Sequence, residues 1–592
     1  MNATTGAFTS QDGVSSPPSF SPLAAAGLGV ALHVISQNFA LDDFAWRLIG
    51  GFSLLFWSSV ATSAFYFGNG IFTSIVQVVP LAVAALTGLY TSIAVRRLFL
   101  SPLRKFPGPW QARLSKFYQM HLEAKNMQLM VETQKLHQKY GDFVRTGPRE
   151  ISILRASAIP MFYGGKSPLK KSPYYRHNEF EDPETSLFNI INFQLHNKRR
   201  RVFDQGFSTK ALNSYEPRVQ NKVNALLEKL SAFDQKPVNV TEWMSYFAFD
   251  VMGDVIFSKE YNLMQAGDGK ILANGIETTL TKLHDGMKML GYFGTVPWVL
   301  RMLTQAGISG DWGVMHEWCR GAMRDKQAVM NPPSSTLGLS SNLADIILQK
   351  WEKGTIPQDT TSYLLKDFLE GESPSDRQTK QSLLQDSILL IIAGSDTTSS
   401  AAVNALYYLV QHPDVYASLQ SQLDAAFPGG VDAVTNDAVR TKVPLIDHIA
   451  NETMRLKPSV GQGLQRETPP EGVTVDGVFI PGNTIVSVPT WSVQRDARYW
   501  EEPEAWRPER WEGVDTREEA LAFLPFSKGI FSCPGKTLAY QELRHLLSRI
   551  ALKFDVEFAP GEDGVEFERH PMDTFTMTNQ PLQMVFKARK RG

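Results

Sequence analysis

Cys533 is one of two cysteines in a chain of 592 residues, and its setting is one in which a thiol becomes a ligand. It stands in Phe526-Ser-Lys-Gly529-Ile-Phe531-Ser-Cys533-Pro-Gly535, where two glycines free the backbone and an apolar helical run follows. The start of a helix offers unpaired N–H groups and the positive end of a dipole, both of which favour thiolate over thiol. A lone thiolate suits a single strong metal bond; the plain alternative is an inert buried thiol. Asp396 and Thr397 lie within the run Thr379–His412. An acid beside an alcohol is what proton delivery to a reduced oxygen ligand needs, against the plainer reading of a polar kink. Glu452 and Arg455 share one helix face at i, i+3, a pair worth little in isolation. Arg510, in Arg507-Pro-Glu-Arg-Trp511, follows Arg455 by 55 residues, and Cys533 follows Arg510 by 23.

Helices dominate the elements that must position these groups. Periodicity predicts helices over Phe117–Tyr140, Ser214–Leu230 (capped by its serine), Val240–Phe257, Thr379–His412, Val443–Lys457 (stopped by Pro458) and Gly535–Phe554. Ala393-Gly394-Ser395 is expected to loosen the long helix just before Asp396. Asp142–Leu154 alternates around Gly147-Pro148 as a β-hairpin does, and Val473–Pro489 has strand-like alternation. Asn331–Asn342 reads as a surface loop. The fold class is mainly α with a small β part.

Lys and Arg number 59 against 60 Asp and Glu, a net charge of −1, which gives no electrostatic pull toward nucleic acid. Two cysteines cannot build a disulfide framework and fit a reducing compartment. Residues 1–22 are rich in Ser, Thr, Gly and Pro and read as disordered. Residues 23–100 read as a membrane anchor and 101–592 as the catalytic body. No charged residue occurs from Leu48 to Val95. Gly68-Asn69-Gly70 divides that stretch into Leu48–Phe67 and Ile71–Val95, each long enough for a bilayer, with Leu23–Ala40 a weaker third span. A pair of buried core helices is the alternative. Arg96, Arg97, Arg104 and Lys105 then place the body on the cytosolic side. The sequon Asn2-Ala3-Thr4 would report whether two or three spans cross.

The cysteine segment resembles the haem-binding signature of the cytochrome P450 family, Phe-x-x-Gly-x-Arg-x-Cys-x-Gly. Phe526, Gly529, Cys533 and Gly535 match, and Phe531 stands where the signature has arginine. The resemblance implies the P450 fold, haem b (iron protoporphyrin IX) ligated by Cys533, and Phe526 packed beneath it. It makes Glu452, Arg455 and Arg510 a structural lock and Asp396 with Thr397 the proton relay. His196 and Arg200, in His196-Asn-Lys-Arg-Arg-Arg201, and Arg466 become candidates for holding haem propionates, though adjacent arginines more often form a solvated face. The implied reaction is insertion of one oxygen atom of O2 into an apolar organic substrate at the endoplasmic reticulum membrane, in the manner of fungal secondary-metabolite enzymes. NADPH supplies electrons through a separate reductase, since the chain lacks its own dinucleotide fingerprint. Lys528, Lys536 and Arg544 are candidate docking groups for that reductase. The substrate pocket is expected from Pro168–Asn189, Leu389–Ala393, Val460–Leu464 and Thr574–Thr576. Rival readings are a haem-thiolate isomerase or dehydratase working without reductase, which the Asp396-Thr397 pair opposes, and a cofactor-free membrane scaffold.

Overall fold

The computed structural model describes residues 21–37, 44–176, 183–273, 275–308, 310–330, 359–370, 378–513 and 519–589. The chain divides into two units, Met1–Arg104 and Lys105–Gly592.

In the first unit, Ala45–Tyr66 and Ile71–Leu100 are helices long and apolar enough to cross a membrane. Their large side chains are open to the surroundings: Leu55 is 70% exposed and Phe72 80%. The weaker third candidate is a 15-residue helix, Pro22–Ser36. At 1.5 Å per residue it spans about 22 Å, short of a hydrocarbon core of about 30 Å. It packs on Ile71–Val95 through glycines. A Cβ on Gly29 would lie 2.0 Å from the Ala85 carbonyl oxygen, and one on Gly88 would lie 2.0 Å from that of Ala26. Small residues bring two backbones together in this way in lipid, and His33 Nδ1 meets Ser92 Oγ across the same contact at 2.7 Å. The sequon at Asn2 lies outside the described residues.

The second unit is mainly helical. Its longest helix, Lys380–Gln411, starts at a Thr379–Ser382 capping box and is buried along most of its length. It packs against Val240–Phe257, Gly310–Met330, Leu445–Leu456 and Lys536–Lys553. Ala393–Ser395 does not open it: the helix is unbroken, and the Thr397 hydroxyl donates back to Ala393 O at 2.6 Å. The glycine there serves packing, as a Cβ on Gly394 would lie 2.1 Å from Met252 Cε. The expected single helix 117–140 is two, Phe117–Asn126 and Leu129–Tyr140. Met127 turns left-handed between them (φ 53°), and the Glu123 carboxylate caps Leu129 N–H at 3.0 Å. The helix expected from Ser214 begins at Thr209, capped by Ser208. The expected loop 331–342 lies outside the described residues.

A five-stranded sheet runs in the order Phe143–Gly147, Glu150–Ile153, Ile485–Ser487, Arg466–Glu467, Lys170–Lys171. Its register sets Lys171 directly opposite Arg466. Both are buried, and like charges facing across strands are unfavourable unless something anionic lies between or beside them.

Candidate active site

The cysteine loop leaves the Gly529–Phe531 turn and enters the Lys536–Lys553 helix at Gly535. Gly529 has φ +66°, and a Cβ there would lie 2.2 Å from Tyr163 O, so only glycine fits. Cys533 N–H donates to Phe526 O at 2.9 Å, which closes the loop. The Phe526 ring lies 5.4 Å from that of Tyr540. Burial pushes the Cys533 thiol up; the Gly535 N–H, the Arg200 guanidinium and the Lys536 N–H pull it back without cancelling the rise. The N–H groups at the helix start thus act in the direction of thiolate.

Cys533 opens into a cavity of about 540 Å³. Phe526, Phe531, Ala393, Gly394 and Thr397 also line it, as do Met252, Ile388 and Leu389. Each segment expected to form the pocket contributes: Tyr174 and Phe188 from the first, Leu389 from the second, Val460 and Leu464 from the third, Phe575 from the fourth. Residues 177–182 lie outside the described set. Asn189, Gln385, His316 and Arg320 add polar points to a largely apolar wall.

Phe531 sits among three nitrogen bases. The His196 ring centroid is 4.5 Å from its own, Lys171 Nζ is 4.7 Å away and Arg466 Cζ 5.0 Å. Arg466 uses Nη1 on Tyr175 Oη and Gln465 O. Its Nε and Nη2 are buried with no partner among the described residues, as is His196 Nδ1. Burial and then Lys171 push the His196 imidazole down to about 3, so it is neutral. Orphaned buried donors of this kind cost about 1–3 kcal/mol each, and a carboxylate-bearing group at this edge of the cavity would satisfy them. The donor set therefore fits haem: Arg466 and His196 would hold its propionates and Cys533 its iron. Lys171 was not singled out from sequence. It is one of two adjacent lysines, and only the strand register brings it to Arg466.

Arg200 does not face that edge alone. Its guanidinium donates to Ile530 O and Ser532 O and pairs with Asp204 at 2.7 Å, bracing the cysteine loop itself. Of the adjacent arginines, Arg201 is exposed and Arg199 is buried. Arg199 is 4% exposed, pairs with buried Asp386 and donates to Thr185 O at 2.6 Å. It ties the pocket loop to the long helix.

Glu452, Arg455 and Arg510 come together. Arg455 reaches Glu452 through Nε at 2.9 Å and Nη2 at 2.8 Å, and Arg510 Nε reaches the same carboxylate at 2.9 Å. Trp511 Nε1 and the Arg507 N–H complete its shell, each at 2.9 Å. Arg455 also donates to the carbonyls of Gln494, Pro503 and Ala505. Gln494 then accepts from Leu524 N–H at 2.7 Å, so the lock is joined to the cysteine loop.

Asp396 and Thr397 are placed apart. Thr397 lines the cavity, whereas Asp396 is buried with an oxygen 2.9 Å from His284 Nε2. Burial pulls the His284 imidazole down, and the Asp396 carboxylate more than reverses this. Among the docking candidates, Arg544 is 8% exposed and held bidentate by Asp447 at 2.7 Å, so it is structural. Lys528 is half-buried and donates to Ala520 O and Leu521 O. Lys536 is exposed.

A family model described as Cytochrome P450 matches residues 107–586. Cytochrome P450 monooxygenase orf5 of Eupenicillium brefeldianum is 35% identical over 509 residues, 85% of this chain and 95% of the relative. Tryprostatin B 6-hydroxylase of Aspergillus fumigatus is 31% identical over 85% of this chain and 84% of its own length. Cytochrome P450 monooxygenase phqL of Penicillium fellutanum is 30% identical over 98% and 97%. A cysteine loop under a large, mostly apolar cavity, with orphaned donors at its edge, fits the haem-thiolate class of enzyme. The chain belongs to the cytochrome P450 family, and within it the chain is a monooxygenase.

Proposed function

We propose that the chain holds haem through Cys533 and hydroxylates or epoxidises a medium or large, mostly apolar secondary metabolite, with NADPH electrons delivered by a separate membrane reductase. The carrying observation is the single cavity that Cys533 and Thr397 share, edged by the unpartnered donors of Arg466 and His196. Haem held through the Cys533 sulfur would supply the electron push that favours O–O cleavage. The residues do the rest. Arg466, Lys171 and His196 orient the cofactor's acidic edge. Arg200 fixes the carbonyls of Ile530 and Ser532 and so the position of the sulfur. Ile388, Leu389 and Met252 exclude water from the reacting face. Thr397 Oγ holds a proton at the cavity wall, donated to Ala393 O at rest. Asp396, paired with His284, is the group one residue away through which that proton can be replenished.

The substrate range follows from the cavity's lining and from relatives of which one is named for a hydroxylation of tryprostatin B. Ala45–Tyr66 and Ile71–Leu100 support anchoring in the endoplasmic reticulum membrane, and Arg96, Arg97, Arg104 and Lys105 support a body on the cytosolic side. Lys536 is the docking group that remains available for an acidic reductase surface.

The test is turnover of the purified chain with a purified fungal reductase and NADPH. Oxygen and NADPH consumption that depends on both supports the reading; substrate conversion without either supports the isomerase alternative. In the same assay Thr397→Ala is expected to keep its haem but divert roughly tenfold more of the electrons to peroxide. Unchanged coupling would remove Thr397 from proton delivery.

A further inference from the structure

One face of the helix Lys380–Gln411 runs along the cavity that Cys533 lines. Gln385, Ile388, Leu389, Ile392, Ala393 and Thr397 follow one another on it at helical spacing, and all of them line that cavity. Twelve residues separate Gln385 from Thr397, about 18 Å along the axis at about 1.5 Å per residue. The turns between them are apolar.

Gln385 is polar, and nothing in the protein uses it. It is 5% exposed and makes no side-chain hydrogen bond among the described residues. A carboxamide in this position has given up water for its N–H and C=O groups and received no partner in return. Its neighbour Asp386 is the opposite case: it accepts from Leu187 N–H at 2.8 Å and pairs with Arg199. Those bonds fix the segment 185–189 against the turn that carries Gln385. Asn189 N–H closes the segment on Ser186 O at 2.9 Å. Asn189 also lines the cavity; it is 8% exposed, and its Oδ1 is buried with no partner among the described residues. A second unsatisfied carboxamide thus stands two residues from the contact with the helix. The charged groups of the wall are answered differently. Lys171 and Arg466 gather at the Phe531 edge, Arg200 braces the cysteine loop, and Arg320 Nη1 faces Glu317 at 3.6 Å. Burial pushes the Glu542 carboxyl far up. What remains for a ligand beside Gln385 is a neutral donor and a neutral acceptor.

We propose that Gln385 is a specificity-determining residue whose carboxamide receives an amide of the substrate, while the apolar body lies along Ile388–Ala393 toward Thr397. This rests on the monooxygenase reading above and narrows its substrate to an apolar molecule that bears a neutral carboxamide or lactam. Such a group pairs with Gln385 through two hydrogen bonds: its N–H donates to Oε1, and Nε2–H donates to its carbonyl. Asn189 adds a further carboxamide at the same end. A ketone or ester leaves Oε1 without a donor, and a site built to bind an N–H discriminates against an analogue that lacks it.

The test uses the full-length, haem-loaded protein and a matched pair of probes, dodecanamide and 2-tridecanone, which differ only by NH2 in place of CH3 on the carbonyl. Affinities are read by calorimetry, which needs no signal from iron. The ketone leaves water more readily, so a wall without a partner for the amide would favour it. The wild type is expected to bind the amide at least as tightly as the ketone. Gln385→Leu and Gln385→Met, the second unbranched like glutamine, are each expected to shift the ratio toward the ketone by at least about tenfold, through lost amide affinity. A wild type that favours the ketone, a ratio unmoved by the substitutions, or equal losses of both probes would overturn the proposal. The haem spectrum of the same samples tests the underlying reading separately. A wild type with no Soret band defeats the monooxygenase reading, whereas a normal spectrum with an unmoved ratio defeats the amide subsite alone.

Discussion

Phe531 stands where the family signature has an arginine, and its ring gathers other cations around that place. Lys171 and Arg466 both approach its face, at about 0.5–2 kcal/mol for each such contact, while His196 packs on its edge. Phe531→Leu is expected to keep the thiolate spectrum but to release haem to apomyoglobin about tenfold faster; an unchanged release rate would show the ring to be a spectator. Glu123 offers a second test. Its folded-state carboxyl is raised from about 4.5 to about 10, so between those values the folded chain binds more protons than the unfolded one, and stability falls as pH rises. Glu123→Gln removes that loss. Its stability gain over wild type in denaturant titrations is expected to grow between about pH 5 and pH 9, by at most about 1.4 kcal/mol per unit; a gain independent of pH would contradict the assignment. Cys533, Thr397 and the lock residues were legible because their motifs, in this order, resemble those of the family. Lys171, His284 and Glu123 were not: each acquires its partner only through strand register or helix packing.

Elements hold these side chains by saturating polar groups inside the protein. The Glu452 carboxylate accepts from Arg455, Arg510, Trp511 and the Arg507 N–H, and both it and Arg455 are fully buried. Arg455→Ala would strand that charge, at a cost of about 3–5 kcal/mol. A chain that no longer retains haem, with a denaturation midpoint lowered accordingly, is the expected outcome; a stable, red variant would refute the lock. Helix extents over 240–257, 380–411 and 536–553 could be read from periodicity alone. The break at Met127 could not, since neither glycine nor proline marks it; a left-handed methionine and a side-chain cap make the turn. The long helix shows the opposite error. Gly394 and the Ser/Thr cluster look like a kink in sequence, yet Met252 fills the space beside the glycine and Thr397 returns its hydroxyl to the helix.

For the whole molecule, two apolar helices long enough to span a bilayer precede a unit in which residues hundreds of positions apart form one cavity. Charge pattern and hydropathy made the division between them visible. Cavity contents were not visible, because they depend on which of many apolar side chains turn inward. All functional statements reduce to one bond between sulfur and iron. The most direct test is the spectrum of the purified full-length chain, reduced and exposed to carbon monoxide, beside Cys533→Ala. The wild type is expected to give the red-shifted Soret band of a thiolate ligand and the variant to lose it. A wild-type chain with no Soret band, or one whose band is unchanged by the substitution, would contradict the account.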